Sequence, residues 1–394
     1  MLDFRILFSC ATALVLCAAT LLITYRHAPA LGLIDRPNDR KKHIGNIPLI
    51  GGIAVFTGLL FGACVYGQSD LFTCAVLATA ALLMLVGALD DRFDLSVRAR
   101  LLVQACAVLA VAIATGTHIH TLGHLFGVEL ELGVLGIPFT VIAVIGLLNA
   151  FNMMDGIDGL AGMLALVAVG AIAAYQGLSQ WSSIGLLLLL SAALLPYLAA
   201  NLGLVGRKVF LGDAGSVVLG YLLAWTLIRL SQQTDASLTT VDVLWCVALP
   251  VLDTLAVMIR RLGERRSPFK PDRGHIHHLL LDAGIGPRGA LAVLVTLAIV
   301  FACIGAQTRQ LTPGSNLLSF GAVAVIYIAT HRSVRRYQQA RVAGSVTSEA
   351  TLPIGTTEAV RSRPLRTDGR QKPERVHART AAAARAARVR KIVP

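Results

Sequence analysis

Leu71-Phe-Thr-Cys-Ala-Val-Leu-Ala-Thr-Ala-Ala-Leu-Leu-Met-Leu-Val-Gly-Ala-Leu-Asp-Asp91 is the stretch that decides the fold. It carries no charge from Leu71 to Leu89 and then meets two carboxylates at once. Roughly 20 consecutive apolar residues are what an α-helix needs to cross a bilayer core. A helix also satisfies its backbone polar groups internally, which lipid demands. An ionised side chain at mid-bilayer costs roughly 2.5–3.5 kcal/mol on insertion scales. Asp90 and Asp91 therefore mark the point where this span reaches water, a cation or a partner.

Comparable runs recur on both sides, near 4–24, 48–66, 101–117, 134–150, 160–176, 182–200, 214–230, 241–259, 289–307 and 314–331. The chain has 394 residues, 55% hydrophobic and only 14% charged. These numbers exclude a set of soluble domains and predict an all-α polytopic membrane protein with about eleven transmembrane helices. In the outer loop His118 to Gly133, the alternation Glu129-Leu-Glu-Leu132 predicts a short extramembrane strand. From Arg332 the composition turns to Arg, Ala, Thr and Pro. Residues 332–394 read as a basic tail, disordered or a weak surface helix drawn to anionic lipid.

Lys and Arg orient the chain. With the N-terminus periplasmic, the inner loops hold 17 of them and the outer side only Arg5, Arg229 and Arg309. The other 15 lie from Arg332 onward, placing the C-terminus in the cytosol. The net charge of +13 is thus a topology signal plus a basic tail, and no nucleic-acid partner is expected. Ala28-Pro29-Ala30 loosely mimics a signal-peptide cleavage site, but the positive charges follow the apolar run, so an uncleaved first helix is expected. The seven cysteines lie in or at the rim of spans without a C-x-x-C pair, and read as small packing residues.

The ionisable motifs gather on one membrane face. Asp90 and Asp91, if both face one cavity, suit a hard divalent cation plus a base; the bland alternative is a solvated helix end paired with Arg92. Asn149-Ala-Phe-Asn152-Met-Met-Asp155-Gly-Ile-Asp158-Gly159 spaces polar groups by three, along adjoining parts of one helical face. Gly156 and Gly159 predict that the helix breaks there. Phe210-Leu-Gly-Asp213-Ala-Gly-Ser216 opens a helix, where backbone N–H groups and the dipole favour anions. The segment Arg260 to His278 holds Arg261, Arg273, His275, His277 and His278. No Cys or Glu completes a zinc set nearby, so the imidazoles read as donors to phosphate oxygens. Arg36 to His43, followed by Pro48 and Gly51-Gly52, is a second basic loop that either holds a phosphate or anchors topology.

Together, Asp35-Arg-Pro-Asn-Asp-Arg-Lys-Lys-His43, Gly87-Ala-Leu-Asp-Asp91, Asn149 to Gly159, Phe210 to Ser216 and Pro268-Phe-Lys-Pro-Asp-Arg-Gly-His-Ile-His-His278 resemble the polyprenyl-phosphate N-acetylhexosamine-1-phosphate transferase family. The resemblance runs from about residue 30 to 285 and is strongest to the bacterial branch using undecaprenyl phosphate and N-acetylglucosamine. It implies that 1–331 is a catalytic membrane domain with its site on the cytosolic face of the bacterial inner membrane. It implies Mg²⁺ (or Mn²⁺), UDP-GlcNAc as donor and undecaprenyl phosphate as acceptor, in surrounding membrane lipid, with a homodimer left open. UMP would be released in the first lipid-linked step of a surface polysaccharide. Asp213 and Asn152 match metal positions; Asp90 and Asp91 match the catalytic pair. Asp155 and Asp158 match nucleotide-sugar or structural positions, taken here with the catalytic group. His275, His277 and His278 match the phosphate and sugar side, with Asn149, His43, Arg261 and Arg273 as further substrate contacts. The proline-glycine loop and histidine region depart from the branch that takes UDP-MurNAc-pentapeptide. Another UDP-N-acetylhexosamine is the alternative donor. A secondary transporter is the alternative of another class, disfavoured because no inverted repeat appears and the carboxylates avoid mid-span.

Overall fold

The computed structural model describes residues 4–35, 45–67, 70–177, 181–233, 236, 238–267 and 274–350. His43 and Arg273 lie outside the described residues, as does the chain after Ala350. The described part is all-α apart from two short hairpins. First come α1 (Phe4–Leu31), β1 (Ile34–Asp35), β2 (Ile47–Pro48), α2 (Gly51–Tyr66), α3 (Leu71–Phe93) and α4 (Val97–Thr115). Then follow β3 (Thr121–Leu125), β4 (Val128–Glu131), α5 (Gly136–Met154), α6 (Leu160–Gln176), α7 (Gly185–Asn201) and α8 (Asp213–Gln232). The last are α9 (Thr240–Cys246), α10 (Ala248–Gly263), α11 (Ile276–Asp282), α12 (Pro287–Thr308) and α13 (Pro313–Ala350).

Among the described residues, seven helices are long and apolar enough to cross a membrane by themselves: α1, α3, α4, α5, α8, α12 and α13. The protein is therefore a multi-pass, all-α membrane protein. Three more apolar runs form the shorter helices α2, α6 and α7, of 16 or 17 residues. The expected single span 241–259 is instead two helices, α9 and α10, bent by 87° around Val247. Pro250 sits in the first turn of α10, where a missing N–H costs nothing. The alternating Glu129 to Leu132 segment forms the predicted strand as β4, paired antiparallel with β3. All seven cysteines are unpaired thiols.

The helix α8 is the axis of the packing. It touches α2, α3, α5 and α6, and 89% of its apolar window is buried, against 28% for α1, α4 and α12. Close approach is what makes this possible. A Cβ on Gly87 of α3 would stand 2.6 Å from the Ala214 backbone, so only glycine lets α3 reach the start of α8. The segment after β2 adds a second brace, with Gly51 and Gly52 N–H groups donating to Phe210 and Leu211 carbonyls at 2.9 Å. The α8 N-terminus is thus wedged between α2, α3 and α5.

Candidate active site

Gly212 precedes α8 with φ +71° and ψ 173°, a conformation open to glycine. Having no side chain, it cannot cap the helix. The cap comes from α3 instead: Asp91 Oδ1 accepts from Asp213 N at 3.0 Å and Oδ2 from Ala214 N at 3.3 Å. This differs from the expectation that both carboxylates face one cavity. Consecutive helical residues point about 100° apart, so one turns to α8 and the other to the cleft.

That other is Asp90, buried at 6% exposure. Its Oδ1 accepts from Leu95 N at 2.7 Å, and its Oδ2 from Arg100 Nη1. The same guanidinium nitrogen reaches Asp213 Oδ2 at 3.1 Å. Asp213 Oδ1 accepts from Asn152 Nδ2 at 2.9 Å, and that amide also reaches Ser216 Oγ at 3.0 Å. Asn149 Nδ2 donates to Gln104 Oε1 at 2.9 Å. Asp90, Arg100, Gln104, Asn149, Asn152 and Asp213 line one cleft, with Leu83, Val86 and Val217 on its apolar side.

The helix α5 ends at Met154 and α6 starts at Leu160, as Gly156 and Gly159 predicted. Asn201 holds the intervening loop: its Oδ1 accepts from Gly159 N at 2.5 Å and its Nδ2 donates to Val209 O at 2.8 Å. Asp158 leaves the cleft and pairs with Lys208 Nζ at 2.6 Å. Asp155 stays half-buried at the end of α5. Burial, then the negative charges of Asp213, Asp91 and Asp158, hold its pKa up at about 8.

The histidine segment closes over this loop. A Cβ on Gly156 would collide with the His277 ring, so the imidazole rests directly on the loop. His277 is 1% exposed, and neither ring nitrogen has a hydrogen-bond partner among the described residues. Burial, then the neighbouring His278 and His275, lower its pKa to about 3, so the ring is neutral at physiological pH. His275 and His277 stack at 6.0 Å, and His277 and His278 lie 4.1 Å apart. Arg261 is buried on α10.

Sequence reasoning placed Asp90, Asn149, Asn152 and Asp213 in the site, and the fold brings these four into one cleft. It missed Arg100, which was read as a topology charge, and Gln104, a lone amide inside an apolar span. The second had a signal, since a buried amide in a span needs a partner. Lys208 and Asn201 were also missed, and nothing local marks them.

The donor set suits a hard divalent cation. Among the described residues no three His, Cys, Asp or Glu side chains could hold a metal alone. Mg²⁺, however, is typically bound by one or two carboxylates together with waters and substrate phosphates. Asp90, Asp213 and the amide oxygens of Asn149 and Asn152 supply such a partial set, and Arg100 already bridges the two carboxylates with positive charge.

Residues 73–231 match the model of glycosyl transferase family 4. The chain is 43% identical over 298 residues to an undecaprenyl-phosphate alpha-N-acetylglucosaminyl 1-phosphate transferase of Yersinia pestis, covering 75% of this chain and 82% of that one. It is 41% identical to the protein of the same name from Escherichia coli (strain K12), covering 71% and 77%. The namesake from Pasteurella multocida (strain Pm70) is 37% identical over 340 residues, covering 82% and 92%.

Proposed function

The chain belongs to glycosyl transferase family 4, and on that premise we propose that it transfers GlcNAc-1-phosphate from UDP-GlcNAc to undecaprenyl phosphate. An oxygen of the lipid phosphate attacks the β-phosphorus of the nucleotide sugar. The bond from that phosphorus to the bridging oxygen breaks, UMP leaves, and undecaprenyl-diphospho-GlcNAc forms. A loose phosphoryl-transfer transition state needs positioning and charge neutralisation more than covalent help. The observation that carries this reading is the cleft at the α8 N-terminus, where Asp90 and Asp213 share one guanidinium.

Asp213, Asp90 and Asn152 would hold Mg²⁺ (or Mn²⁺), which when bound neutralises phosphate charge beside these carboxylates. Arg100 keeps the two carboxylates close while balancing one of their charges. Asn149 and Gln104 form a rigid amide pair that orients polar groups of the donor. His277, neutral and buried over Gly156, offers one N–H donor and one lone pair to sugar or phosphate. Asp91 keeps α8 capped and the cleft in register. The acceptor phosphate has a second pKa of roughly 6 by analogy with phosphorylated side chains, so it needs little help from a base.

The charge asymmetry of the loops supports the cytosolic face of a bacterial inner membrane for this site, with eleven spans and a periplasmic N-terminus. The purified protein, assayed against a panel of UDP-sugars, is expected to release UMP from UDP-GlcNAc only when undecaprenyl phosphate is present. Release from another UDP-sugar alone would change the donor. No release from any of them would overturn the reading.

A further inference from the structure

One buried carboxylate has no part in the transfer chemistry. Asp253 on α10 has no exposed surface, a costly place for a carboxylate unless its lone pairs are met. Three donors meet them: His275 Nδ1 at 2.7 Å to Oδ2, with Ile276 N at 2.9 Å and Tyr327 OH at 3.1 Å to Oδ1. Tyr327 belongs to α13, and that helix also makes two polar contacts with the segment Gly274–Leu279. His331 Nε2 meets Gly274 O at 2.8 Å, and Gln338 Nε2 donates to Leu279 O at 2.7 Å. Positions 327, 331 and 338 fall on one helical face, at spacings of four and seven. A helix that only anchored the chain in lipid would have no use for three polar groups aimed at one short loop and the buried carboxylate that holds it.

We propose that Asp253, Tyr327, His331 and Gln338 form a clasp through which α13 positions the histidine segment Gly274–Leu279 for the transfer reaction. The proposal rests on the reading of the site given above. The carboxylate of Asp253 requires His275 Nδ1 to carry a proton, which fixes that ring's tautomer and plane. His277 stacks on it with an interplanar angle of 7°, and His277 in turn rests on Gly156 beside Asp155. Orientation thus passes from α13 through Asp253 and the Gly274 carbonyl to the rings that face the 155–159 loop. None of the four clasp residues lines the cleft. They are positioning residues.

The test compares Asp253→Asn, Tyr327→Phe and Gln338→Ala with the parent, purified in detergent. UMP release from UDP-GlcNAc with undecaprenyl phosphate gives kcat and KM, and nitrogen NMR of histidine-labelled protein reads the His275 tautomer. Asp253→Asn is expected to lower kcat about 10- to 100-fold, the usual cost of removing an outer hydrogen-bond partner, with KM for both substrates nearly unchanged. The His275 proton should move off Nδ1 in that variant. Tyr327→Phe and Gln338→Ala should each lower kcat a few-fold, more when combined, at unchanged melting temperature. If Asp253→Asn does not fold, the Tyr327→Phe, Gln338→Ala double variant carries the kinetic test. Folded variants with parental kcat, or a His275 tautomer indifferent to Asp253, would overturn the clasp. A parent that releases no UMP would instead overturn the reading of the site, and the tautomer measurement would still decide the clasp.

Discussion

At the C-terminal end of α8, Arg229 pairs with Asp70 at 2.9 Å and lies 4.6 Å over the Phe72 ring. At the N-terminal end, Arg100 is shared by Asp90 and Asp213, with Asp91 and Asp155 close enough to add their negative fields. Both ends join α8 to neighbouring helices through an arginine and aspartate. One end balances its charges, and its cation sits favourably at a helix C-terminus. The other leaves acid in excess over a helix N-terminus, in a cleft lined with amides. A fold that needed only an anchor would balance both ends. The surplus of carboxylate is what marks the second end as a place for a cation and phosphates.

Substitutions at the two ends should therefore diverge. Asp213→Asn is expected to have the largest effect, lowering turnover on the order of 100- to 1,000-fold, as for loss of one preorganised electrostatic group. It should leave α8 in place, because the Asp91 cap binds backbone and not the Asp213 side chain. UMP release and a melting curve on the same preparation check both halves. Arg100→Ala comes next and strikes stability. It leaves Asp90 beside the Asp213 carboxylate with the Leu95 N–H as its one remaining donor among the described residues. The loss should be roughly 2–3 kcal/mol, below the range for fully buried pairs because the arginine side chain is 33% exposed. Denaturant titration reads it, and a loss under ~0.5 kcal/mol would deny that the pair is structural.

Asp155 gives a pH signature to the same end. Its folded pKa of about 8 lies above the unfolded carboxylate value of about 4. The protonated form is the one folding favours, so its stability contribution is intact below about pH 4 and is lost as pH rises through about 8. In metal-free buffer, Asp155→Asn should gain melting temperature relative to the parent between pH 5 and about 8, then level off. A pH-independent difference would contradict the crowding of carboxylates there. The smallest effect belongs to the balanced end. Asp70→Asn breaks a partly exposed pair worth under about 1 kcal/mol and should leave turnover untouched.

Much of the fold was legible because the bilayer imposes length on every span, and the β4 strand was legible from its alternation. The bend at Val247 had one local signal, Pro250, which inside a continuous helix over 241–259 would remove a hydrogen bond and clash with the preceding turn; its size of 87° had none. Four site residues could be read from polar groups recurring beside apolar spans. The division of labour between Asp90 and Asp91 could not, because it depends on where a helix more than a hundred residues later begins. Arg100 hid among the charges that set topology. The partnership of α13 with Asp253 was equally invisible, because its donors are common residues whose meaning comes from the loop they face.

The central claim is that the acid-rich end of α8 takes a divalent cation together with the diphosphate of a nucleotide sugar. Its most direct test is UMP release by purified protein given UDP-GlcNAc and undecaprenyl phosphate, after chelation and after Mg²⁺ is restored. The account predicts loss of turnover on chelation, recovery with Mg²⁺, and no recovery in Asp213→Asn. Full turnover in chelator, or a Mg²⁺ response unchanged by Asp213→Asn, would contradict it.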